Sequence, residues 1–188
     1  MVITELPAVI VTPRLLLRQF NSEDAPGVLA FAGDPEAIRH LIWRGVTNLD
    51  EARNVIDFYY RPKGVYALVL RETGMCIGSF ALNLDAENEK ATFGYVLNRD
   101  YWNKGYMTEA LRAVISMCFE QLAINRVESS HFIGNEASGR VMEKCGMRKE
   151  GLCLQEFKVK GAFRDAVHYG ITRGQYLRLL SGQTANDG

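Results

Sequence analysis

Ten residues from Tyr101 to Ala110, YWNKGYMTEA, lead into Ala110, Leu111, Val114, Ile115, Cys118, Phe119 and Leu122, apolar positions at helical spacing. That period predicts an amphipathic helix, with the ten residues as its approach and first turn. The first N–H groups of a helix have no partner inside it and lie at the positive end of its dipole, which suits an anion such as a phosphate. Gly105 permits close backbone approach, Lys104 adds a cation, and Asn103 and Thr108 are small polar residues able to cap the helix or touch the anion. An ordinary capped helix shows the same single glycine, so the rest of the chain must decide between the two.

A chain of 188 residues that is 47% hydrophobic can bury one sizeable core, and a single domain over residues 1–188 is expected. Lys plus Arg and Asp plus Glu both total 22, so no net field favours nucleic acid or an anionic membrane, and neither is expected as a partner. The opening MVITELPAVIV has no basic region before its apolar residues, and no apolar run is long enough to span a bilayer; a cytoplasmic location follows as an expectation. Cys76, Cys118, Cys145 and Cys153 form no C-x-x-C pair and are read as reduced thiols. His40, His131 and His168 have no metal-ligand spacing, so no metal is expected.

In chain order, Val9 to Leu17 reads as a first strand ended by the cap signals of Asn21, Ser22 and Asp24. Short helices are expected over Ser22–Phe31, Pro35–Leu41 and Leu49–Tyr59. Val65–Leu70, Cys76–Leu84 and Ala91–Leu97, separated by Thr73-Gly74 and the polar DAENE stretch, read as an antiparallel meander. After the central helix come a strand at Arg126–Phe132, a helix from Asn135 to Cys145-Gly146, and a hairpin of Leu152–Val159 and Arg164–Thr172 around Lys160-Gly161. The residues from Ser181 read as a flexible tail. The order makes one mixed α/β (α+β) unit with a mainly antiparallel sheet and helices on both faces.

Two phosphate-binding signatures fail. GNEASG, Gly134 to Gly139, has P-loop spacing, but Arg140 and Val141 follow where Lys and Ser or Thr are required, and no G-x-G-x-x-G follows a strand.

Four segments together resemble the GCN5-related N-acetyltransferase (GNAT) superfamily, and within it the bacterial RimJ/RimL-like group that acetylates ribosomal proteins at their N-termini. They are TPRLLLRQFNSEDA at Thr12–Ala25, FGYVLNRDYWNKGYMTEAL at Phe93–Leu111, NEASGRVMEKCGMRKEG at Asn135–Gly151 and GAFRDAVHYG at Gly161–Gly170. The resemblance implies acetyl-CoA as co-substrate, held at the six positions Trp102, Asn103, Lys104, Gly105, Tyr106 and Met107, with Thr108 beside them. Trp102 stands where the family usually has Gln or Arg, and Met107 where it has a small residue. Because backbone N–H groups hold the pyrophosphate, such side-chain changes need not abolish binding.

The resemblance also assigns Tyr95, Val96 and Leu97 to a splayed strand along the pantetheine arm, with the Leu97 N–H as oxyanion donor. Many relatives protonate the departing thiolate from a tyrosine on the second helix, a position that is Met142 here. In the ribosomal-protein group a serine takes this role, and Ser138 matches it; the alternative is a first-turn serine bonding its own backbone. Asn135 is both a helix cap and a cofactor-contact candidate. For the base, Glu156 lies near the group's glutamate, but an ungapped match puts Phe157 there, and a water relay is the alternative. Asp165 reads as a turn-stabilising acid.

His40, Trp43, Arg44, Tyr59 and Tyr60, from the early helices, are candidates for the acceptor pocket, with core packing as the other reading of the aromatics. The expected partner is an acceptor amine, a protein N-terminus or else a small molecule such as an antibiotic, polyamine or amino acid, with a homodimer as an option. The reading from another class is a catalytically silent CoA-binding regulator.

Overall fold

Thr12 and Pro13 interrupt the first apolar run, and the expected single strand is two. In the computed structural model, which describes residues 6–182, β1 (Val9–Val11) and β2 (Leu15–Gln19) pair antiparallel, with Val9 opposite Arg18. The Thr12 N–H donates to the Leu15 carbonyl and the Leu15 N–H to the Thr12 hydroxyl, each at 2.9 Å. Pro13, with φ fixed and no N–H, fits the turn and not a ladder.

Asn21 caps a short turn at Ser22–Asp24 that runs into α1 (Ala25–Ala32). No helix forms over Pro35–Leu41. Its N–H groups alternate between bonds to the fourth and third residue back (Ile38 to Asp34, Arg39 to Glu36), so isolated turns form without propagating. Asn48 caps α2 (Leu49–Val55), which widens into a π turn at Ile56–Tyr60.

The meander is as expected: β3 (Tyr66–Leu70), β4 (Cys76–Asp85) and β5 (Lys90–Leu97). Then follow α3 (Tyr106–Glu120), β6 (Arg126–Phe132), α4 (Glu136–Lys144), β7 (Arg148–Val159) and β8 (Ala162–Thr172). Gly146, at φ +86°, ends α4 as its left-handed cap, and the Lys160-Gly161 turn is left-handed at both residues, as a tight hairpin requires. One helix escaped the sequence reading: α5 (Arg173–Leu180), opened by a capping box of Thr172 and Gln175. Leu177, Leu179 and Leu180 are exposed, so its apolar residues mark no buried stripe. The tail beyond Gly182 lies outside the described residues.

The eight strands make one sheet in the order β1-β2-β3-β4-β5-β6-β8-β7, antiparallel except for β5–β6. Apolar residues leave both faces. One layer, centred on Leu111, Ile115, Phe119 and Met142, lies under α3 and α4; the other, with Phe31, Ile56 and Val96, lies under α1 and α2. The arrangement is the mixed α/β unit, with a mainly antiparallel sheet and helices on both faces, expected from the segment order.

Gly27 lets α1 lie directly on β4, because a Cβ there would collide with the Cys76 carbonyl oxygen and Cβ. Gly27→Ala should therefore force the helix off the sheet and destabilise the protein by about 2 kcal/mol, within the usual range for overpacking. Urea unfolding of the two proteins, compared at equal m-value, measures it.

Candidate functional site

β5 and β6 pair only where Lys90–Thr92 lie beside Arg126–Glu128; beyond that they part. Glu128 pins the apex, bridging Lys90 Nζ at 2.9 Å and Arg126 Nε at 2.6 Å. As the ladder gives out, the Ser129 hydroxyl takes its place and donates to the Phe93 carbonyl at 2.7 Å.

The direction of the freed backbone groups follows from alternation. The Asn98 N–H donates to the Ile77 carbonyl at 2.8 Å, and Leu97 lies opposite Gly78. Backbone groups of Asn98, Val96 and Gly94 therefore face β4, and those of Phe93, Tyr95 and Leu97 face the opening. Two bonds agree with this: Ser129 on Phe93, and the Trp102 indole N–H, which donates to the Leu97 carbonyl at 2.8 Å. Trp102 thus ties the loop to the strand end. Val96 contributes differently, since its side chain is buried in the layer under α1 and α2.

The loop delivers the start of α3 to the open end of the fork. Asn103 and Gly105 are left-handed, with φ of +59° and +80°, and no side chain caps the helix. A left-handed residue followed by right-handed ones turns successive N–H groups toward one point, a concavity suited to an anion. Met107 is 5% exposed and its side chain packs in the core. The Lys104 ammonium lies 5.5 Å above the Tyr101 ring, and its carbonyl accepts from Arg14 at 2.9 Å.

Arg14 and Glu109 make a clamp that the sequence reading missed. Glu109, in the first turn of α3, accepts from the Thr12 hydroxyl at 2.6 Å, the Arg14 N–H at 2.8 Å and Arg14 Nε at 2.6 Å. Burial raises the Glu109 carboxyl, but the Thr12 hydroxyl and the Arg14 donors outweigh it and hold the group below the usual range. Arg14 also lies over the Tyr106 ring at 4.4 Å, so the β1–β2 turn fixes the start of α3. The only hint in the sequence was Thr-Pro-Arg beside a strand; what it would pair with was not local.

On the other side of the fork, Gly139 brings α4 onto the sheet, since a Cβ there would lie 2.8 Å from His131 Nε2 and 2.9 Å from the Tyr169 hydroxyl. The second glycine of GNEASG is thus a packing residue. Asn135 occupies the cap position of α4 without making a capping bond; Glu136 instead accepts from the Gly134 N–H at 3.0 Å. The expected capping role is corrected accordingly. The Ser138 N–H donates to the Asn135 carbonyl, and the Tyr95 hydroxyl reaches across to the Ser138 carbonyl at 3.5 Å. Burial pushes the Tyr95 phenol up, so it carries its proton at neutral pH. A hydroxyl on β5 therefore stands near the helix whose usual tyrosine is Met142, itself buried in the core.

These parts share one cleft of about 420 Å³, lined by Tyr95, Val96, Leu97, Trp102, Asn103, Gly105, Tyr106, Met107, Thr108, Asn135 and Ser138. Its other wall is the 36–41 segment, with His40. Burial first, and then the Arg39 charge, lower the His40 pKa; its Nε2 accepts from Arg39 at 3.1 Å, so the ring is neutral at pH 7. Trp43, Arg44, Tyr59, Tyr60 and Glu156 do not line the cleft. Tyr60 is a core residue, 3% exposed and stacked on Phe20; Trp43 packs on the same layer, and Tyr59 lies under the Lys63 ammonium. Arg44 is exposed. Glu156 is paired with His168 at 2.6 Å. Asp165, expected to stabilise the hairpin turn, instead holds the β7 strand in mid-hairpin, accepting from the Gln155 N–H at 2.8 Å.

Comparison with known proteins agrees with this geometry. Residues 14–148 match the family model of the acetyltransferase (GNAT) domain. The N-acetyltransferase p20 of Bacillus licheniformis, whose function is uncharacterised, is 29% identical over 171 residues, covering 88% of this chain and 96% of its own. YdaF of Bacillus subtilis, a candidate ribosomal N-acetyltransferase, is 35% identical over 63% of this chain and 64% of its own. A solved candidate ribosomal-protein-serine acetyltransferase from Vibrio cholerae superposes with a TM-score of 0.76 at 26% identity, covering 87% of this chain and 97% of its own.

The left-handed Gly105 generates a direct test. Valine at φ +80° is strained by roughly 1–2 kcal/mol, and its side chain would obstruct an anion approaching the helix start. Gly105→Val should weaken acetyl-CoA binding by about tenfold or more, or 1.4 kcal/mol. Titration calorimetry on a variant with native circular dichroism decides it; unchanged affinity would remove this loop from the cofactor site.

Proposed function

The chain belongs to the acetyltransferase (GNAT) domain family, and on that premise we propose that it acetylates a protein N-terminal amine, of the ribosomal-protein type, by direct attack in a ternary complex. That it is an N-acetyltransferase follows from the family and its relatives. The family uses acetyl-CoA, which supplies the activated acetyl thioester. One observation carries the reading of the site: an uncapped, left-handed helix start and the outward backbone groups of Tyr95 and Leu97 open into one cleft. The continuous sheet through the described residues supports reading the chain as one domain.

The N–H groups at the start of α3 bind the pyrophosphate, with the dipole in support. Tyr95 and Leu97 bond the pantetheine arm as a neighbouring strand would, and the Leu97 N–H stabilises negative charge at the carbonyl oxygen. The Ser138 hydroxyl donates toward the departing sulfur, with the Tyr95 hydroxyl behind it as a second donor. The acceptor proton leaves through water past the neutral His40. Glu156, tied to His168 away from the cleft lining, is not needed.

A covalent acetyl-cysteine relay fits poorly. Burial pushes the Cys145 thiol up to about 11, and those of Cys76 and Cys118 to about 12, so all three are protonated where a thiolate is required. Cys153 does not line the cleft. The protein acceptor is supported by the names of the two ribosomal-type relatives and by the exposed Ile133 next to the cleft-lining Gly134, an apolar rim suited to a peptide.

Ser138→Ala should lower kcat by about a hundredfold or more, the lower end of what a positioned acid donor contributes, with the KM for acetyl-CoA nearly unchanged; Tyr95→Phe should lower it less. Wild-type turnover in both variants would exclude them as donors. Initial-rate plots against acetyl-CoA at several peptide concentrations should intersect. Parallel lines, with acetylated protein formed from acetyl-CoA alone, would establish ping-pong transfer instead. Because only the neutral amine attacks, kcat/KM should rise with pH, reach half its maximum near pH 8, the usual pKa range of an α-amine, and level off about one unit above. Preference for polyamines or aminoglycosides over peptides would overturn the protein acceptor, and no transfer to any amine would leave a silent CoA-binding protein.

A further inference from the structure

β7 and β8 fall out of register in mid-hairpin. Cys153 pairs with Ala166 and Phe157 with Arg164, so three residues of β7 span the interval that Asp165 alone spans on β8. Gln155 absorbs the excess in the left-handed region, at φ +52°, and its N–H is held by Asp165. The bulge turns Glu156 back over the sheet, where its carboxylate meets His168 Nε2 at 2.6 Å, and the Cys153 thiol lies on the same side. Ligand atoms of Cys153, Glu156 and His168 all lie within 4.8 Å of one another.

From this convergence we propose that Cys153, Glu156 and His168 bind a single Zn²⁺ or similar borderline-soft divalent ion, independently of acetyl transfer. A thiolate, an imidazole and a carboxylate are a zinc-type ligand set; Mg²⁺ and Ca²⁺ take oxygen ligands and do not favour the thiolate. Zn–S, Zn–N and Zn–O bonds of roughly 2.0–2.3 Å place tetrahedral ligand atoms about 3.3–3.8 Å apart. The Cys153 sulfur therefore closes by at most about 1.5 Å while the Glu156–His168 pair opens by about 0.7 Å. Cys153 and Glu156 are exposed and sit on or beside a bulge, so rotamer changes suffice for both movements. The ion takes the place of the direct Glu156–His168 hydrogen bond, the Cys153 thiol gives its proton to solvent as the sulfur binds, and three protein ligands leave the fourth position to water. Bound there, it cross-links the bulge of β7 to β8. The sequence hides this site because intervals of three and twelve residues match no metal-binding spacing.

Cobalt(II), a spectroscopic stand-in for zinc, tests the assignment on the reduced full chain. One equivalent should produce a thiolate-to-cobalt charge-transfer band in the near ultraviolet, and added Zn²⁺ should bleach it. Cys153→Ser should abolish the band, and Glu156→Gln and His168→Ala should each weaken binding by roughly tenfold or more. Cys145→Ser should leave it intact, and circular dichroism should show every variant folded. Zn²⁺ should also raise the Tm of the parent protein and not that of Cys153→Ser. Absence of a thiolate band in the parent protein, or a band that survives Cys153→Ser, would overturn the site.

Discussion

A parallel ladder that stops after three residues leaves the backbone groups of Tyr95 and Leu97 facing a gap in the sheet, where a polar main chain requires partners. The rest of the architecture maintains that gap. Glu128 locks the apex between Lys90 and Arg126, Ser129 substitutes a hydroxyl for the first missing rung, and α3 and α4 cover one side of the parted strands. An extended ligand with amide groups can act as the missing strand while its anionic end meets the start of α3. Strand separation and helix start are parts of one device, and neither alone would define a cofactor cleft.

Two glycines in the resembling segments act for different physical reasons. Gly105 supplies a backbone conformation, φ +80°, that turns the chain into the start of α3. Gly139 supplies space, because His131 and Tyr169 occupy the position of its Cβ. The clamp of Arg14 on Glu109 is similarly double in effect. It neutralises an acid in the first turn of α3, and it joins that turn to the first hairpin of the sheet. The start of α3 is therefore held by residues about ninety positions earlier in the chain.

Elements with strong local signals were legible from sequence. The meander, α3, β6 and α4 follow from periodicity, and α4 ends at Gly146 as its left-handed cap requires. Elements that depend on weak nucleation or on turn chemistry were not. Pro35–Leu41 carries helix signals but forms only turns, Thr12-Pro13 divides one apolar run into two strands, and α5 has a capping box but few buried side chains. That Tyr95, Leu97, Trp102, Gly105, Asn135 and Ser138 line one cleft could be expected only because four segments resemble a known family, since no local pattern joins them. Trp43 and Tyr60 pack in the layer under α1 and α2 and not along the cleft, since an aromatic at helical spacing looks the same whether it lines a pocket or fills a core.

Residues within one or two helical turns of each other determined the elements, their caps and the polar loop before α3, because the interactions responsible act over four or five positions. Pairings between distant strands lie beyond that range. Strand order and register decided that Tyr95 reaches Ser138, that Arg14 meets Glu109, and that a bulge carries Glu156 and Cys153 to His168. A shift of one residue in β7 would send those side chains to the opposite face. Such convergence is a property of the folded sheet, and no local pattern encodes it.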